Sequence, residues 1–397
     1  MSDTVLEATL LEKAKKPKSP AAELIVEVAR EHKVSPFRQM REMLSLNFGA
    51  TKLSFDEYYS NGVYHPDLNT AQKRQFVGEK GSHKLNCRLS PLKMTLRARS
   101  LISDKVLYSA LIKSLGFSTT RTQAALSKHR SHGNITTLRN AQDLSAFLRE
   151  EARYPLFVKP TVGSGSVGSA LITSYDEGRD EIIMANGSQA PVSDFAETVA
   201  KDYGSGFLLQ DAVAQHPDLS DVIGQAVGTL RIATVFAEDG APHVLYALWK
   251  IPSPDAMSDN YWQSGSMIAE LDATTGEIQQ CRRGAGPSRE EVLTHPVSGR
   301  AFRGLKIPHW DKVIEITTQA HQLYPNFGVF GWDIAVTEDG PLIIECNANP
   351  HHMLYQLATG RGIYNEDFAP VLDQVIDRSK RLLSELTAER KEEKKKH

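Results

Sequence analysis

Three oxygen-bearing side chains interrupt two apolar runs in the last fifth of the sequence. Asp333 directly precedes the run 334–336, and Glu345 and Asn347 follow the run 342–344. Because side chains alternate along a strand, Glu345 and Asn347 share one face of a sheet. Two carboxylates and an amide oxygen on one face suit a hard cation such as Mg²⁺. The alternative is that these residues form cross-strand polar pairs on a solvated sheet face.

Convergence of the three side chains depends on the turn between the two runs, which predict a β-hairpin. A three-residue loop at 338–340, Glu-Asp-Gly, is a common hairpin connection whose glycine adopts a positive φ. It pairs Thr337 with Pro341 and places Asp333 opposite Glu345. A two-residue loop would put Asp333 on the other face. We expect the three-residue loop, and with it a magnesium site.

Composition and charge exclude several classes of protein. The chain has 397 residues, 41% hydrophobic and 24% charged, as in an ordinary globular protein with a large core. Its net charge of −2 and the lack of a basic stripe argue against a nucleic-acid partner. We find no signal-peptide pattern and no apolar run that could span a bilayer, so we expect no membrane partner. Three scattered cysteines fit a reducing cytoplasm.

A glycine-rich segment could hold phosphate. Residues 154–160 predict a short strand that ends in Lys159-Pro160, and a loop of small residues follows. Such a loop lets backbone N–H groups approach an anion closely, and it is not a Walker A loop because no Gly-Lys-Ser/Thr follows. Since residues 169–173 are β-rich, we expect a hairpin tip over the phosphates of a nucleotide; a flexible surface turn is the alternative. The candidate residues are Gly163, Ser164, Gly165, Ser166 and Gly168.

Two further predicted strands carry polar residues among apolar ones. Segment 206–213 turns polar at Gln210 and Asp211, where backbone groups could hydrogen-bond the edge of an adenine. Segment 230–236 carries Arg231 as its one charge, and an inward-facing arginine must be paired. Its partner is either a phosphate or a structural carboxylate, and the sequence leaves both open.

Three more candidates lie in less regular surroundings. Lys250 is on a predicted strand, 244–251, and Asn260 lies in the loop-rich stretch 252–310. Lys105 falls in the first turn of a predicted helix, where a cation is slightly unfavourable against the helix dipole. A residue placed against local preference can mark a functional site, although a solvated surface lysine is the alternative.

The pattern divides the chain into regions of different character. Ser-Pro pairs at 19–20 and 35–36 and a capping box at 54–57 predict helices. A final helix is expected over 370–386, followed by a solvated charged tail. The expected regions are a polar, disordered 1–18, a helical 19–100, a mixed 101–210, a mixed 211–376 with the metal site, and a C-terminal helix with its tail over 377–397.

In their order along the chain, these motifs form a recognisable set. They are Asp104-Lys105, Phe157-Val158-Lys159-Pro160 with its glycine loop, Gln210 to Val213, Leu230-Arg231-Ile232, and Asp333 with Glu345-x-Asn347. Together they resemble the ATP-grasp superfamily, and more closely its sugar-transfer-associated, or α-L-glutamate ligase-related, branch. The resemblance covers about residues 100–375. It implies an α+β fold in which two α+β lobes clamp ATP, preceded here by a helical region.

The resemblance also implies a role for each candidate. Asp333, Glu345 and Asn347 would hold two Mg²⁺ ions, with Mn²⁺ as a substitute. Arg231 would face the γ-phosphate or the acyl phosphate, with Lys250 and Asn260 as further catalytic residues. Many relatives have Glu at the hinge where this chain has Asp211. The residues implied to contact the nucleotide are Lys105, Lys159, Gly163, Ser164, Gly165, Ser166, Gly168, Gln210, Asp211 and Val213.

The chemistry implied is an ATP-dependent ligation. A substrate carboxylate attacks the γ-phosphate to give an acyl phosphate, which an amine opens to an amide; membership of the branch suggests a glycan or another small acceptor. Catalysis is then mostly positioning and electrostatics. The alternatives are a phosphotransferase on the same scaffold and a non-catalytic nucleotide-binding protein. The expected partners are ATP, a small carboxylate and an amine, with a second copy of the chain in a homodimer as a further expectation.

Overall fold

The N-terminal part of the chain is helical. The computed structural model describes residue 11 and residues 21–162, 166–204, 206–254 and 256–396. The expected disorder of 1–18 and the helix start at 19–20 therefore lie outside the described residues, apart from residue 11. The helices that precede the sheets are α1 Ala21–Glu31, α2 Pro36–Phe48, α3 Phe55–Ser60, α4 Thr70–Lys73, α5 Glu79–Leu89, α6 Leu92–Ser103 and α7 Lys105–Ser114.

Side-chain caps fix where several of these helices begin. The Oγ of Ser35 accepts a hydrogen bond from the backbone N–H of Arg38 at 3.3 Å, with Pro36 as the first helical residue. Ser54 and Glu57 form the predicted capping box of α3. Each cap satisfies backbone donors that a helix start leaves unpaired. The predicted starts of α2 and α3 are confirmed.

The first sheet follows the helical region. Its strand order is β2-β1-β7-β3-β4-β5-β6, antiparallel throughout except for the parallel pair β1–β2. Helices α8 Ala141–Glu150 and α9 Val192–Asp202 pack on one face and form an apolar core with it. The strands are β1 Thr122–Leu126, β2 Thr136–Leu138, β3 Leu156–Pro160, β4 Ala170–Asp176, β5 Glu181–Met184, β6 Gln189–Pro191 and β7 Phe207–Asp211.

The second sheet has the order β12-β11-β10-β9-β8-β13-β14 and is antiparallel. Helix α11 packs on one face, while α5, α12 and α13 pack on the other. The strands are β8 Leu230–Phe236, β9 Pro242–Ile251, β10 Met267–Leu271, β11 Ile278–Arg283, β12 Glu290–Glu291, β13 Val329–Thr337 and β14 Gly340–Asn347. The helices are α10 Pro217–Ile223, α11 Trp310–Gln322, α12 Met353–Thr359 and α13 Ala369–Lys396.

Two expectations about secondary structure need revision. The stretch 252–310 is loop-rich as expected, but it also contains β10 and β11; β11 is largely polar and is held by pairing with β10, not marked by an apolar pattern. The expected charged tail is helical, because α13 continues to Lys396 through Glu and Lys residues that favour helix. None of the helices within the described ranges has the length and apolar character needed to cross a bilayer.

Candidate active site

A β-bulge in the β13–β14 hairpin brings Asp333 opposite Glu345. The predicted three-residue loop is wrong, because Thr337 pairs with Gly340 and leaves only two residues in the turn. The register then shifts between Asp333 and Ile334, and this shift restores the predicted pairing of Asp333 with Glu345. A bulge inserts one extra residue in one strand. Like one more residue in the loop, it moves the side chains beyond it to the other face of the sheet. The expected positive φ of Gly340 is confirmed at 130°.

Asp333 is held by two cations from neighbouring strands. On β8, Arg231 donates from Nε to Asp333 Oδ1 at 2.6 Å and from Nη2 to Oδ2 at 3.2 Å. On β9, Lys250 Nζ donates to Oδ2 at 3.3 Å. Burial raises the pKa of Asp333, but the attraction of these two cations outweighs it and lowers the pKa to about 2. The question that the sequence left open for Arg231 therefore has an answer in this structure: its partner is a carboxylate.

Asp259 is a member of the site that the sequence reasoning missed. Its Oδ2 lies 3.0 Å from Lys250 Nζ and also accepts a hydrogen bond from the hydroxyl of Thr229. Burial lowers the pKa of Lys250, but Asp259 and Asp333 raise it by more, so the ammonium stays charged. The available signal was its position beside Asn260 in a segment that follows the strand of Lys250.

Lys159, on the first sheet, interacts electrostatically with the same carboxylates. It lies on β3, on the face opposite α8 and α9, and the electrostatic field of Glu345, Asp333 and Asp259 acts on its ammonium group. Burial lowers the pKa of Lys159 to about 8, against the opposing effect of those carboxylates, and Lys105 lowers it further. Lys105 is the first residue of α7, as predicted. The site is therefore formed by both sheets and by the start of α7.

The predicted hinge has one side chain that faces the site and one that does not. Gln210 pairs with Phe157, two residues along β3 from Lys159, so both side chains lie on the same face of the first sheet. Its Nε2 donates to Thr120 Oγ1 at 2.9 Å, and its Oε1 is buried without a partner among the described residues. The carboxylate of Asp211 is engaged instead by Gln123 at 2.6 Å and by Arg153 at 3.1 Å. A nucleotide contact by Asp211 or Val213 would therefore use backbone groups.

The glycine loop connects β3 to β4, which confirms the predicted hairpin. Gly163, Ser164 and Gly165 lie outside the described residues. Ser166 and Gly168 both have positive φ, at 57° and 82°. A Cβ on Gly168 would lie 2.6 Å from the hydroxyl of Tyr203, so only glycine fits there. Asn260, the remaining catalytic candidate, is buried, and its Nδ2 has no partner within the described chain.

The helical region supports the segment that follows Asn347. On α5, Asn86 Nδ2 donates to Asn349 Oδ1 at 2.8 Å and to Pro350 O at 2.9 Å, and its Oδ1 lies 2.9 Å from His352 Nε2. On α6, Arg99 donates a hydrogen bond from Nη1 to the backbone oxygen of Ala348 at 2.8 Å. Burial lowers the pKa of His352 to about 3, so the ring is neutral and Asn86 Oδ1 accepts its Nε2 proton. These contacts fix the chain that leaves the site.

The residues of the site can bind a hard cation only if Asp333 offers the cation an oxygen that also accepts hydrogen bonds from Arg231 or Lys250. In the described chain, no three His, Cys, Asp or Glu side chains are grouped for a metal, and the predicted set has only two carboxylates and an amide. Asp333 already accepts three hydrogen bonds, and an ionised carboxylate has about four acceptor positions. Glu345 lies directly opposite, and the buried Nδ2 of Asn347 lacks a partner among the described residues. A 180° rotation of this amide exchanges its nitrogen and oxygen, so the oxygen of Asn347 can point where Nδ2 lies now. The residues are therefore compatible with Mg²⁺.

Two sheets that face each other across buried charges define the ATP-grasp class of fold. The sequence model of the family described as "Sugar-transfer associated ATP-grasp" matches residues 84–370. The chain belongs to this family, which confirms the resemblance. No curated protein matches the sequence.

Solved structures similar to this chain include ATP-grasp enzymes at low identity. Biotin carboxylase from Campylobacter jejuni is 11% identical with a TM-score of 0.41, over 70% of this chain and 47% of that one. D-alanine–D-alanine ligase from Coxiella burnetii is 12% identical with a TM-score of 0.41, over 74% and 62%. L-amino acid ligase from Bacillus licheniformis is 14% identical with a TM-score of 0.35, over 65% and 43%. This chain therefore spans about half the length of the first of these proteins.

Proposed function

We propose that the protein is an ATP- and Mg²⁺-dependent carboxylate–amine ligase that acts through an acyl phosphate. One observation carries the proposal: buried cations from both sheets share one group of carboxylates. Arg231 and Lys250 on the second sheet form ion pairs with Asp333, and Lys159 on the first sheet interacts electrostatically with Glu345 and Asp333. Such a cluster supplies positive charge to a phosphate group placed between the sheets.

The charge balance of the site favours a nucleotide accompanied by a dication. Four cationic side chains face three carboxylates, so the site alone has little net charge to offset a triphosphate. Mg²⁺ would supply the missing positive charge and screen the phosphate oxygens. Glu345 and Asn347 would hold it, with Asp333 sharing one oxygen. The seven charged groups are Lys105, Lys159, Arg231, Lys250, Asp259, Asp333 and Glu345.

The chain's own residues have distinct tasks in the proposed reaction. Gln210 Oε1, buried without a partner in the described chain, would accept a hydrogen bond from the amino group of adenine. Lys159, with a pKa of about 8, is mostly protonated near neutrality and would donate to phosphate oxygens. Arg231 makes two hydrogen bonds to Asp333, and its remaining N–H groups would donate to the reacting phosphate.

The bond changes balance without a nucleophilic side chain. An oxygen of the substrate carboxylate forms a bond to the γ-phosphorus while the bond to the β–γ bridging oxygen breaks, and ADP leaves. The amine then attacks the acyl carbon, phosphate leaves with the acyl oxygen, and the amine loses a proton to water. Lys159 and Arg231 stabilise the charge that moves to the phosphate oxygens in the first step.

The test is product analysis with Mg²⁺-ATP and pooled carboxylates and amines. We expect ADP, free phosphate and an amide, and a hydroxamate when hydroxylamine replaces the amine. Lys159→Met should lower turnover by about 10²–10³, as expected for loss of one oriented donor. Lys84→Met removes an exposed lysine in the middle of α5 and should leave turnover unchanged.

Two outcomes would contradict the proposal. Phosphate that stays on the acceptor would identify a phosphotransferase. Absence of turnover together with binding of Mg²⁺-ATP would identify a nucleotide-binding protein without ligase activity.

A further inference from the structure

Helix α2 has a second apolar face that points away from the core of the helical region. Its inner face consists of the buried residues Gln39, Met43 and Leu46. Four large apolar side chains on the outer face, here called the α2 stripe, remain in water: Phe37 is 79% exposed, Met40 41%, Leu44 42% and Phe48 76%. A helix that is apolar on both faces is normally covered on both.

The α2 stripe forms one continuous surface. The spacing of its residues, by three, four and four positions, places them on one side of a helix. From Phe37 to Phe48 it extends over about 17 Å, at about 1.5 Å per residue. The two phenyl groups alone leave roughly 300 Å² in water, if an aromatic side chain has about 200 Å². A contiguous apolar patch of this size is often functional.

Buried hydrogen bonds hold α2 in this orientation. Gln39 Nε2 donates to Ile25 O at 3.1 Å and to Val34 O at 2.8 Å. Gln39 Oε1 accepts from the hydroxyl of Tyr59 at 2.8 Å. Turning the helix to bury the stripe would break these bonds and expose Met43 to water, so the stripe must be covered from outside the helical region.

The charges of α2 that face water, and those at its two ends, are basic. Glu42, the one carboxylate of the helix, is turned inward and pairs with the buried Lys73 at 2.6 Å. Lys33 precedes the helix, Arg41 lies beside the stripe, and Lys52 follows the helix; none of the three forms an ion pair within the described chain. The two lysines donate to backbone oxygens at 2.9 and 3.1 Å, which leaves their charges in place.

Carboxylates on the neighbouring helices do not neutralise these three cations. Glu31 on α1 pairs with Arg30 at 3.0 Å, and Asp56 on α3 lines a cavity between α3 and the second sheet. The charge of Glu27 acts on a tyrosine in the core of the helical region. Glu23, at the start of α1, offsets at most one cation. The surface around the stripe is therefore both apolar and positively charged.

We propose that α2 docks the protein on an anionic phospholipid membrane, with the stripe among the acyl chains and the three cations at the headgroups. A helix with large apolar residues on one face and basic residues beside them lies in the plane of a bilayer interface. Anionic headgroups supply the counter-charge that the neighbouring helices lack. Such a helix needs no run that spans the bilayer, so the absence of one from the sequence does not bear on it.

A second copy of the chain fits this surface less well. Pairing two α2 helices would cover the phenyl groups, but it would also bring Lys33, Arg41 and Lys52 of one copy near the same cations of the other. Like charges that face each other across an interface weaken it. The proposal does not depend on the ligase function, because α2 contributes no residue to the proposed active site.

The test is co-sedimentation of the full chain with vesicles. Vesicles of equal parts phosphatidylcholine and phosphatidylglycerol are compared with vesicles of phosphatidylcholine alone, at low and high salt. We expect tighter binding to the anionic vesicles, and weaker binding at high salt because salt screens the charges. Phe37→Ser should weaken binding about tenfold, for about half of its exposed surface buried in lipid. Arg41→Gln should weaken it about fivefold, the contribution of one basic residue near the surface.

The matched control compares one change at two exposed leucines. Leu44→Ser in the stripe should weaken vesicle binding, whereas Leu293→Ser should not, because Leu293 is 70% exposed in the segment between β12 and α11. Thermal unfolding checks that each variant is folded. Equal binding to both kinds of vesicle, or unchanged binding of folded Phe37→Ser, would overturn the proposal. So would a dimer in sedimentation velocity that Phe37→Ser dissociates while the parent protein leaves the vesicles unbound, since the second copy would then be the occupant.

Discussion

Replacing Lys159 by Met should make the free protein more stable while removing its affinity for ATP. Lys159 lies between the two sheets, and burial lowers the pKa of its ammonium group to about 8 despite the carboxylates of Glu345 and Asp333. The folded protein therefore holds this proton less tightly than the unfolded chain does. Methionine has a similar length and needs no counter-charge, so it relieves that cost.

The magnitude and the sign follow from the two pKa values. An ordinary lysine pKa of 10.5 and a folded pKa of about 8 differ by about 3 kcal/mol at about 1.4 kcal/mol per tenfold change. The lysine retains some exposure, so about 1–3 kcal/mol is the expected range. Between about pH 8 and pH 10.5 the unfolded state binds more protons, so stability of the parent protein rises with pH in this window. Lys159→Met should lack this rise.

The assay is urea denaturation of the parent protein, Lys159→Met and Lys84→Met at several values from about pH 7 to pH 10.5. Near pH 7 we expect a higher midpoint for Lys159→Met only, and near pH 10.5 the three should converge. The same samples should show that Mg²⁺-ATP raises the midpoint of the parent protein and of Lys84→Met but not of Lys159→Met. A Lys159→Met protein that is less stable near pH 7 and keeps the rise with pH would refute the reasoning.

Three further predictions concern the supports of the site. Arg231→Gln leaves Asp333 with one cation, so the free energy of unfolding should fall by about 3–5 kcal/mol. Acid unfolding should begin at higher pH, because the pKa of Asp333 is no longer held at about 2. An unchanged acid midpoint would contradict this. Gly340→Val forces a branched residue to a φ of 130° and should cost about 1–3 kcal/mol in urea denaturation; full stability would show that the turn can rearrange. Asn86→Ala removes the partner of His352 and should cost about 1–3 kcal/mol and weaken Mg²⁺-ATP binding in thermal scans; unaltered binding would limit Asn86 to a structural role.

The hairpin shows why a correct prediction can rest on a wrong step. Asp333 was expected opposite Glu345 because of a three-residue loop, and the pairing is correct although the loop has two residues. What matters for the face of a side chain is whether the number of extra residues between the paired positions is odd or even. A bulge on β14, where Ile344 lies between the paired residues Ile343 and Glu345, supplies the same extra residue as a longer turn. Sequence patterns identify the strands and the glycine, but they do not distinguish these two placements.

Other parts of the site could not be found from local patterns. Asp259 lies outside regular structure, so no periodicity marks it, and its importance appears only when β9 brings Lys250 beside it. The contacts of Asn86 and Arg99 join residues more than 200 positions apart in the chain. Such contacts depend on how the helical region packs against the second sheet, and the sequence predicted only that this region is helical.

Only part of the helical region lies within the family match. The match begins at residue 84, within α5, so the supports from Asn86 and Arg99 belong to the part shared with the family. Helix α3 precedes that part. It is nonetheless joined to it, because Glu57 accepts a hydrogen bond from the N–H of Glu79 at 2.6 Å, at the start of α5. A change at Glu57 can thus act on the active site from outside the family match, because this carboxylate holds the start of the helix that carries Asn86.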